Sequence, residues 1–305
     1  MSYGSPSGSP STSPKATISL VLGILSIFTC ITGIPAAILG FMALGDINRS
    51  PRTVGGKGLA ITGIVTGIGG MFVSVILILL ALLLPAIQAT RAAAQRTQSI
   101  NQMRMMTLAA HMFESTNRKL PDDIKSPDGR PLLSWRVHIL PYIEQKALYD
   151  QFKLDEPWDS PHNLPLSKIM PPTFVSPNSL EVEAGKTVYL RPKGKEMVLG
   201  GTTPDGEPIP GFNLGGIVDG TSNTLFLVEA DADQAVPWTK PDDLNVDLKQ
   251  PRRGLGKQMH GRFIAAFLDG TVRVLDETIP DQTIGNIMTP DGNAWGRREN
   301  ILGLW

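Results

Sequence analysis

Two charge-free apolar runs occupy the first third of the chain, one from Ala16 to Gly45 and one from Gly58 to Thr90. Each is longer than the about 20 apolar residues that a helix needs to cross a bilayer. The middle of the second run, Met71 to Pro85, is nearly all aliphatic. Pro35 in the first run is tolerable as a kink, because neighbouring groups in a bundle can satisfy the freed backbone. Between the runs lies a polar turn, Asp46 to Lys57. The pattern therefore predicts an antiparallel hairpin of two spans over residues 16–88 with both ends on one side. Ala36/Gly40 and Gly63/Gly67 have the small-residue spacing that lets helices approach closely. The alternative is that glycine is simply frequent in spans.

Beyond Pro85 the chain becomes helix-forming and amphipathic, with Ile100, Met103, Leu108, Ala109, Met112 and Phe113 recurring at helical spacing. With no Pro or Gly between Ala86 and Asn117, one helix is predicted from about Met71 to about Asn117, with Pro85 as the place for a bend. Arg118, Lys119 and Pro121 mark its end. Residues 132–152 read as helical turns around Pro141. Short strands follow over 182–190, 225–230, 263–268 and 271–275, the last two joined across Asp269-Gly270 as a hairpin. A long helix followed by strands makes an α+β fold.

Composition sharpens this picture. Residues 1–14 are Ser/Pro/Gly-rich and cannot bury apolar surface, so a disordered tail is expected over 1–15. That tail has no charged n-region, and the run after it is too long for a secretory h-region, so a cleaved signal peptide is not expected. Residues 1–118 carry eight Lys/Arg against Asp46 and Glu114, whereas the remainder carries 20 Lys/Arg against 26 Asp/Glu. A basic stem holds an acidic head, which suits lipid headgroups and argues against nucleic acid as a partner. Arg49, Arg52 and Lys57 at the turn face Lys15, Arg91, Arg96 and Arg104 at the opposite side, so charge alone leaves sidedness open. The single cysteine, Cys30, lies in an apolar run and excludes an intrachain disulfide.

Catalytic signals are weak. His111, His138, His162 and His260 lack the spacing of a zinc helix, there is no nucleophile elbow, and Gly200 to Gly206 lacks the Lys-Ser/Thr of a phosphate loop. No catalytic residue, metal or cofactor is expected. The polar candidates for binding are Asp219, Thr221, Ser222 and Asn223, then Glu229 on the following strand, then His260 with Asp269. Each has a structural alternative, since Asp and Ser in turns bond their own backbone and Asp-Gly is ordinary hairpin chemistry. The chain reads as a structural or binding protein and not an enzyme. The competing reading is an envelope hydrolase or a carbohydrate- or solute-binding protein that gathers Asp219, Glu229, His260 and Asp269 in one pocket.

Two resemblances add to this. Ser19 to Phe28, Gly33 to Gly40 and Gly56 to Gly67 resemble the two-span DUF4190 module. Leu84 to Gln98, Leu132 to Gln145, Leu148 to Phe152, Asp219 to Leu225, Val228 to Ala230, Pro237 to Leu244 and His260 with Asp269-Gly-Thr-Val-Arg resemble the DUF1559 family of planctomycete bacteria, described as prepilin-like. The resemblance implies a pilin-like head over 84–305, whose N-terminal helix packs on an antiparallel sheet. It also implies a place in the cytoplasmic (inner) membrane, an exported C-terminal domain, and envelope proteins or further copies as partners besides the bilayer. No Gly-Phe-Thr-Leu-x-Glu cleavage motif opens either run, and eight residues rather than nine separate His260 from Asp269. In the family, the positions of Ser99 and Ser176 are commonly cysteine. The resemblance thus implies that these serines face each other.

Overall fold

The computed structural model describes residues 11–26, 30–49, 54–179, 181–194, 197, 217 and 220–289, in two compact units, Met1–Arg91 and Ala92–Trp305.

The first unit is helical. Helix α1 spans Pro14–Leu25, α2 Cys30–Arg49, and α3 begins at Lys57 and runs to Asn117 with Pro85 inside it. This corrects the reading of Ala16 to Gly45 as one crossing. Twelve residues of α1 rise only about 18 Å, short of the about 30 Å hydrocarbon layer, and α1 packs along α2. The broken helix end is satisfied inside the protein: the Ser26 hydroxyl donates to the Gly23 carbonyl (2.7 Å) and the Ser74 hydroxyl donates to the Ser26 carbonyl. The expected tail is also shorter, because Ser11–Thr12 pairs in parallel with Val54–Gly55 and Lys15 pairs with Asp46 at 2.7 Å. The chain therefore enters α1 from the same end at which it enters α3. Residues 1–10 lie outside the described residues.

Two helices pass as candidate spans by length and composition, Ile31–Arg49 and Lys57–Asn117, and nearly every side chain of α3 from Val75 to Ala94 is exposed. The small residues are contact points. A methyl group added at Gly63 would overlap Ser19, and one at Gly67 would come within 3.0 Å of the Ala36 Cβ. Close approach lets the Ser19 hydroxyl donate to the Ala36 carbonyl across the helices at 2.7 Å.

The second unit is built on a four-stranded antiparallel sheet. Its strands are β1 (Tyr189–Leu190), β2 (Leu225–Glu229), β3 (Phe263–Phe267) and β4 (Val272–Leu275), in the spatial order β4-β3-β2-β1. All five residues of β2 and of β3 are buried, because both faces are covered. On one face Ile264, Ala266 and Phe226 meet Met103, Met106, Ala109 and Ala110 of α3. On the other, Phe263, Ala265 and Phe267 meet Ile284, Ile287 and Met288 of α4 (Asp281–Met288). The strict alternation in β3 is the period-2 signature of a pleated strand. The β3–β4 turn at Asp269-Gly270 is the expected hairpin, with Gly270 at φ 87°. The stretch 182–190 is strand only over Lys186–Thr187 and Tyr189–Leu190. Helix α3 ends where anticipated, with Arg118 at φ 59° returning its N–H to the Glu114 carbonyl.

Under α3 lies a buried ionic knot. Arg136 is fully buried and Asp243 only 6% exposed; the Arg136 guanidinium donates to Asp243 Oδ1 at 2.7 Å. Arg191 donates to the same carboxylate through its backbone N–H (3.0 Å) and Nε (3.1 Å), and Trp135 Nε1 donates to Oδ2 at 3.2 Å. Both guanidinium carbons lie within 5 Å of the Trp135 ring centre. Burial opposes ionisation of Asp243, yet Arg136 and Arg191 hold its carboxyl below the usual range. Removing one partner of such a cluster leaves uncompensated buried charge. Asp243→Ala should therefore destabilise the full chain by about 3–5 kcal/mol, read as a lower unfolding midpoint by tryptophan fluorescence in detergent micelles. A loss under about 1 kcal/mol would show that the guanidinium groups find other partners.

A buried carboxylate cluster as the candidate functional site

The sheet splits the sequence-predicted residues between its two ends. His260 and Asp269 stand before and after β3, a five-residue strand that rises about 13 Å between its ends. His260 sits in an exposed turn at φ 54°. Asp269 is an exposed turn residue whose Oδ1 accepts from the N–H (2.8 Å) and hydroxyl (2.7 Å) of Thr271. Thr221, Ser222 and Asn223 form a 3-10 turn at the entrance to β2, and the Asp269 N–H donates to the Thr221 carbonyl at 3.0 Å. These residues gather at the opposite end of β2 from Glu229, its last residue. Asp219 lies outside the described residues. The structure thus does not assemble Glu229, His260 and Asp269 in one pocket, because an antiparallel strand separates residues that are close in sequence.

Glu229 forms a different cluster. It is 4% exposed and pairs across the sheet with Tyr189, on the face that α3 covers. Ser99 of α3 donates to Oε2 at 2.8 Å. Ser176 donates to Oε1, and the Asn178 amide donates to both oxygens at 3.1 and 3.0 Å. The two serines paired by the family resemblance thus meet on the two oxygens of one carboxylate. Beyond Ser99 the network continues: its hydroxyl lies 2.9 Å from the Tyr189 hydroxyl, which donates to Gln102 Oε1 at 2.8 Å. Gln102 in turn donates through Nε2 to the Pro172 carbonyl at 2.9 Å, which fixes its orientation.

Counting protons shows what this arrangement favours. The contacts Glu229–Ser99, Ser99–Tyr189 and Tyr189–Gln102 need three protons, and the two hydroxyls supply two. The third is available when Glu229 is protonated: Glu229 then donates to Ser99, Ser99 to Tyr189, and Tyr189 to Gln102. Burial likewise holds the Glu229 carboxyl above its ordinary range, against the donors from Ser176, Ser99 and Asn178. Burial and the nearby carboxylate raise the Tyr189 phenol, so it stays protonated. Ser176 also lines a cavity of about 350 Å³ with Ser179, Lys168 and Lys186, and Glu229 is not among its described walls. The carboxylate is saturated by the side chains of Ser99, Ser176 and Asn178.

Sequence reasoning had singled out Glu229, Ser99 and Ser176 but not Gln102, Asn178 or Tyr189. A signal was present: Ser99 and Gln102 are in helical phase with Met103 and Met106, and polar groups on a core-facing stripe require partners. Among the described residues no cluster of three or more His, Cys, Asp or Glu is placed to hold a metal. His138 is a packed ring, stacked on Phe113 at 5.1 Å with Nδ1 against the Asp122 carbonyl.

A helical module with two candidate membrane spans, followed by an α+β head, is the class that these features define. Residues 15–82 match the family described as Domain of unknown function (DUF4190), and residues 88–258 match Protein of unknown function (DUF1559). The second match covers more than half of the chain, which belongs to the DUF1559 family. Comparison with curated proteins and with solved structures found no match.

Two outcomes are expected of this cluster. A carboxyl whose folded pKa is raised has full stability below its ordinary value and loses stability as pH climbs toward the raised one, because only the unfolded chain releases its proton freely. The stability difference between wild type and Glu229→Gln should accordingly shift against wild type as pH rises from about 4.5 and level off above the raised pKa. Parallel pH curves from urea unfolding would contradict this. The Ser99→Cys/Ser176→Cys double variant should form a bridge on oxidation, seen as a linked peptide pair by mass spectrometry. It should gain about 2–4 kcal/mol, since the loop closed is long. Absence of the linked pair would show that Glu229 holds the two positions too far apart.

Proposed function

We propose that the chain is an anchored protein of the cytoplasmic membrane whose exported, pilin-like head serves as a structural or binding component of the cell envelope and not as an enzyme. The observation that carries this reading is helix α3. Its first part is an apolar stretch exposed on all sides from Val75 onward, and its later turns supply Met103, Met106, Ala109, Ala110 and Phe113 to the core of the head. A helix of 61 residues that is both a span and a core element ties the head to the bilayer without a linker to cut. Covalent continuity of this kind suits a part that must stay in place. The packing of α3 on an antiparallel sheet supports the pilin-like likeness, with α4 on the opposite face as an addition to it.

The architecture of the first unit supports export. Pairing of Ser11–Thr12 with Val54–Gly55, and of Lys15 with Asp46, brings Lys15 to the same end as Arg49 and Lys57. With Lys15 moved there, that end carries Lys15, Arg49, Arg52 and Lys57 against Arg91, Arg96 and Arg104 at the other; the small excess of Lys/Arg supports reading it as the cytoplasmic one, from which α3 leaves toward the other face. The non-enzymatic reading is supported by the dispersal of His260 and Asp269 and by the saturation of Glu229.

A C-terminal alkaline phosphatase fusion should be active and a C-terminal fluorescent-protein fusion dark, with the chain resisting carbonate extraction from membranes. An inactive phosphatase with a bright fluorescent fusion would place the head in the cytoplasm and overturn the export.

A further inference from the structure

Helix α3 buries one face in the head and leaves the other bare. On the bare face Ala94, Gln98, Asn101, Met105, Leu108 and Met112 are all exposed. Their spacing of four, three, four, three and four residues is the a/d alternation of a two-stranded coiled-coil seam. Met105, Leu108 and Met112 are 48%, 60% and 45% exposed. They make up three of the six large apolar residues left exposed among the described residues of the second unit. The other three, Leu164, Ile169 and Val175, lie off this helix. Open grooves run along the stripe, walled by Pro172 and Thr173 on one side and by Asp269 and Gly270 on the other. Aligned methionines on a grooved helix face are adaptable packing surface.

We propose that this face pairs with the same face of a second copy of the chain, forming a parallel two-helix seam from Ala94 to Met112. The seam identifies its own partner. A stripe on the 3.5-residue spacing, with Ala94, Met105, Leu108 and Met112 as its apolar members, meets a matching stripe best, and another copy supplies it in register. Gln98 and Asn101 interrupt the apolar line, and polar residues inside such a seam fix its alignment at some cost in stability. In a symmetric parallel pair each meets its own counterpart, and amide groups can donate to and accept from one another. Parallel orientation rests on the anchored reading proposed above, since two copies in one membrane present their stems in the same direction. A seam of this length is small against the about 1,200 Å² that stable interfaces bury. Confinement to a shared membrane raises the effective concentration and offsets that.

The full chain in native membranes, with Cys30→Ser as background, tests this by oxidative cross-linking. Gln98→Cys and Met112→Cys lie about 21 Å apart along the helix. Each should give a disulfide-linked dimer by itself in a parallel seam, whereas an antiparallel pair would link only a mixture of the two. Ile169→Cys, exposed but off the seam, should stay monomeric. In nanodiscs the chain should have twice the monomer mass, and Leu108→Asp should return it to monomer with an unchanged melting profile. A monomeric wild type, a dimer indifferent to Leu108→Asp, or cross-linking at position 169 equal to that at 112 would each overturn the pairing. Because these readouts record proximity and not sidedness, they can fail while the phosphatase fusion succeeds, or the reverse.

Discussion

The carboxylate of Asp243 holds together parts of the head that are far apart in sequence. It accepts from the turn at Trp135–Arg136 and from the strand exit at Arg191, and Arg191 reaches on to the Pro121 carbonyl just past the end of α3 (2.8 Å). Two segments far apart in sequence converge on its two oxygen atoms, and Arg191 ties in a third. The cost of burying charge is high, and it is met here by saturation: every oxygen of Asp243 has at least one donor, and the Trp135 ring lies against both guanidinium groups. The arrangement explains how a unit with only four strands in its main sheet orders long irregular stretches. The loops close on a polar centre as well as on one another, since Pro192–Lys193 pairs with Leu244–Asn245 beside it.

Glu229 does related work by different means. Among the described residues its donors are hydroxyls and an amide, and none is a cation. An ion pair fixes charge, whereas a hydroxyl chain fixes the number of protons, and the count along Glu229, Ser99, Tyr189 and Gln102 closes when the carboxyl keeps its own. These two buried acids therefore have opposite characters, Asp243 held ionised by arginines and Glu229 held above the ordinary carboxyl range. Both connect α3 or its exit to the sheet.

Much of the fold was legible in the sequence because it rests on periodicity. The aliphatic run around Met71 to Pro85, the core stripe of α3 and the Asp269-Gly270 hairpin all follow from local pattern. The break between α1 and α2 did not, because in an apolar run a turn whose carbonyls are capped by Ser26 and Ser74 looks the same as continuous helix. Small strands such as Lys186–Thr187 were read too long, since backbone pairing over two residues leaves no alternation to detect. For the site, Glu229 was visible as an acid on an apolar strand. Its partners come from α3, from the 176–178 segment and from β1, and no local signal links residues 99, 176 and 189. The family resemblance joined the first two, and the sheet register added the third. Residue proximity in sequence misled at His260 and Asp269, where a fully extended strand makes near neighbours distant.

The glycines of the first unit bear on what its family signature records. Gly23, Gly33, Gly40, Gly63 and Gly67 each stand where an added methyl would press on a neighbouring helix, whereas Gly45, Gly58 and Gly69 have nothing within 4 Å. Relatives should keep the first group and let the second drift. The glycines of the first group are thus interhelical distances written as residues. Two proteins sharing them share a way of packing helices in an apolar medium, and the same anchor can carry heads of quite different chemistry.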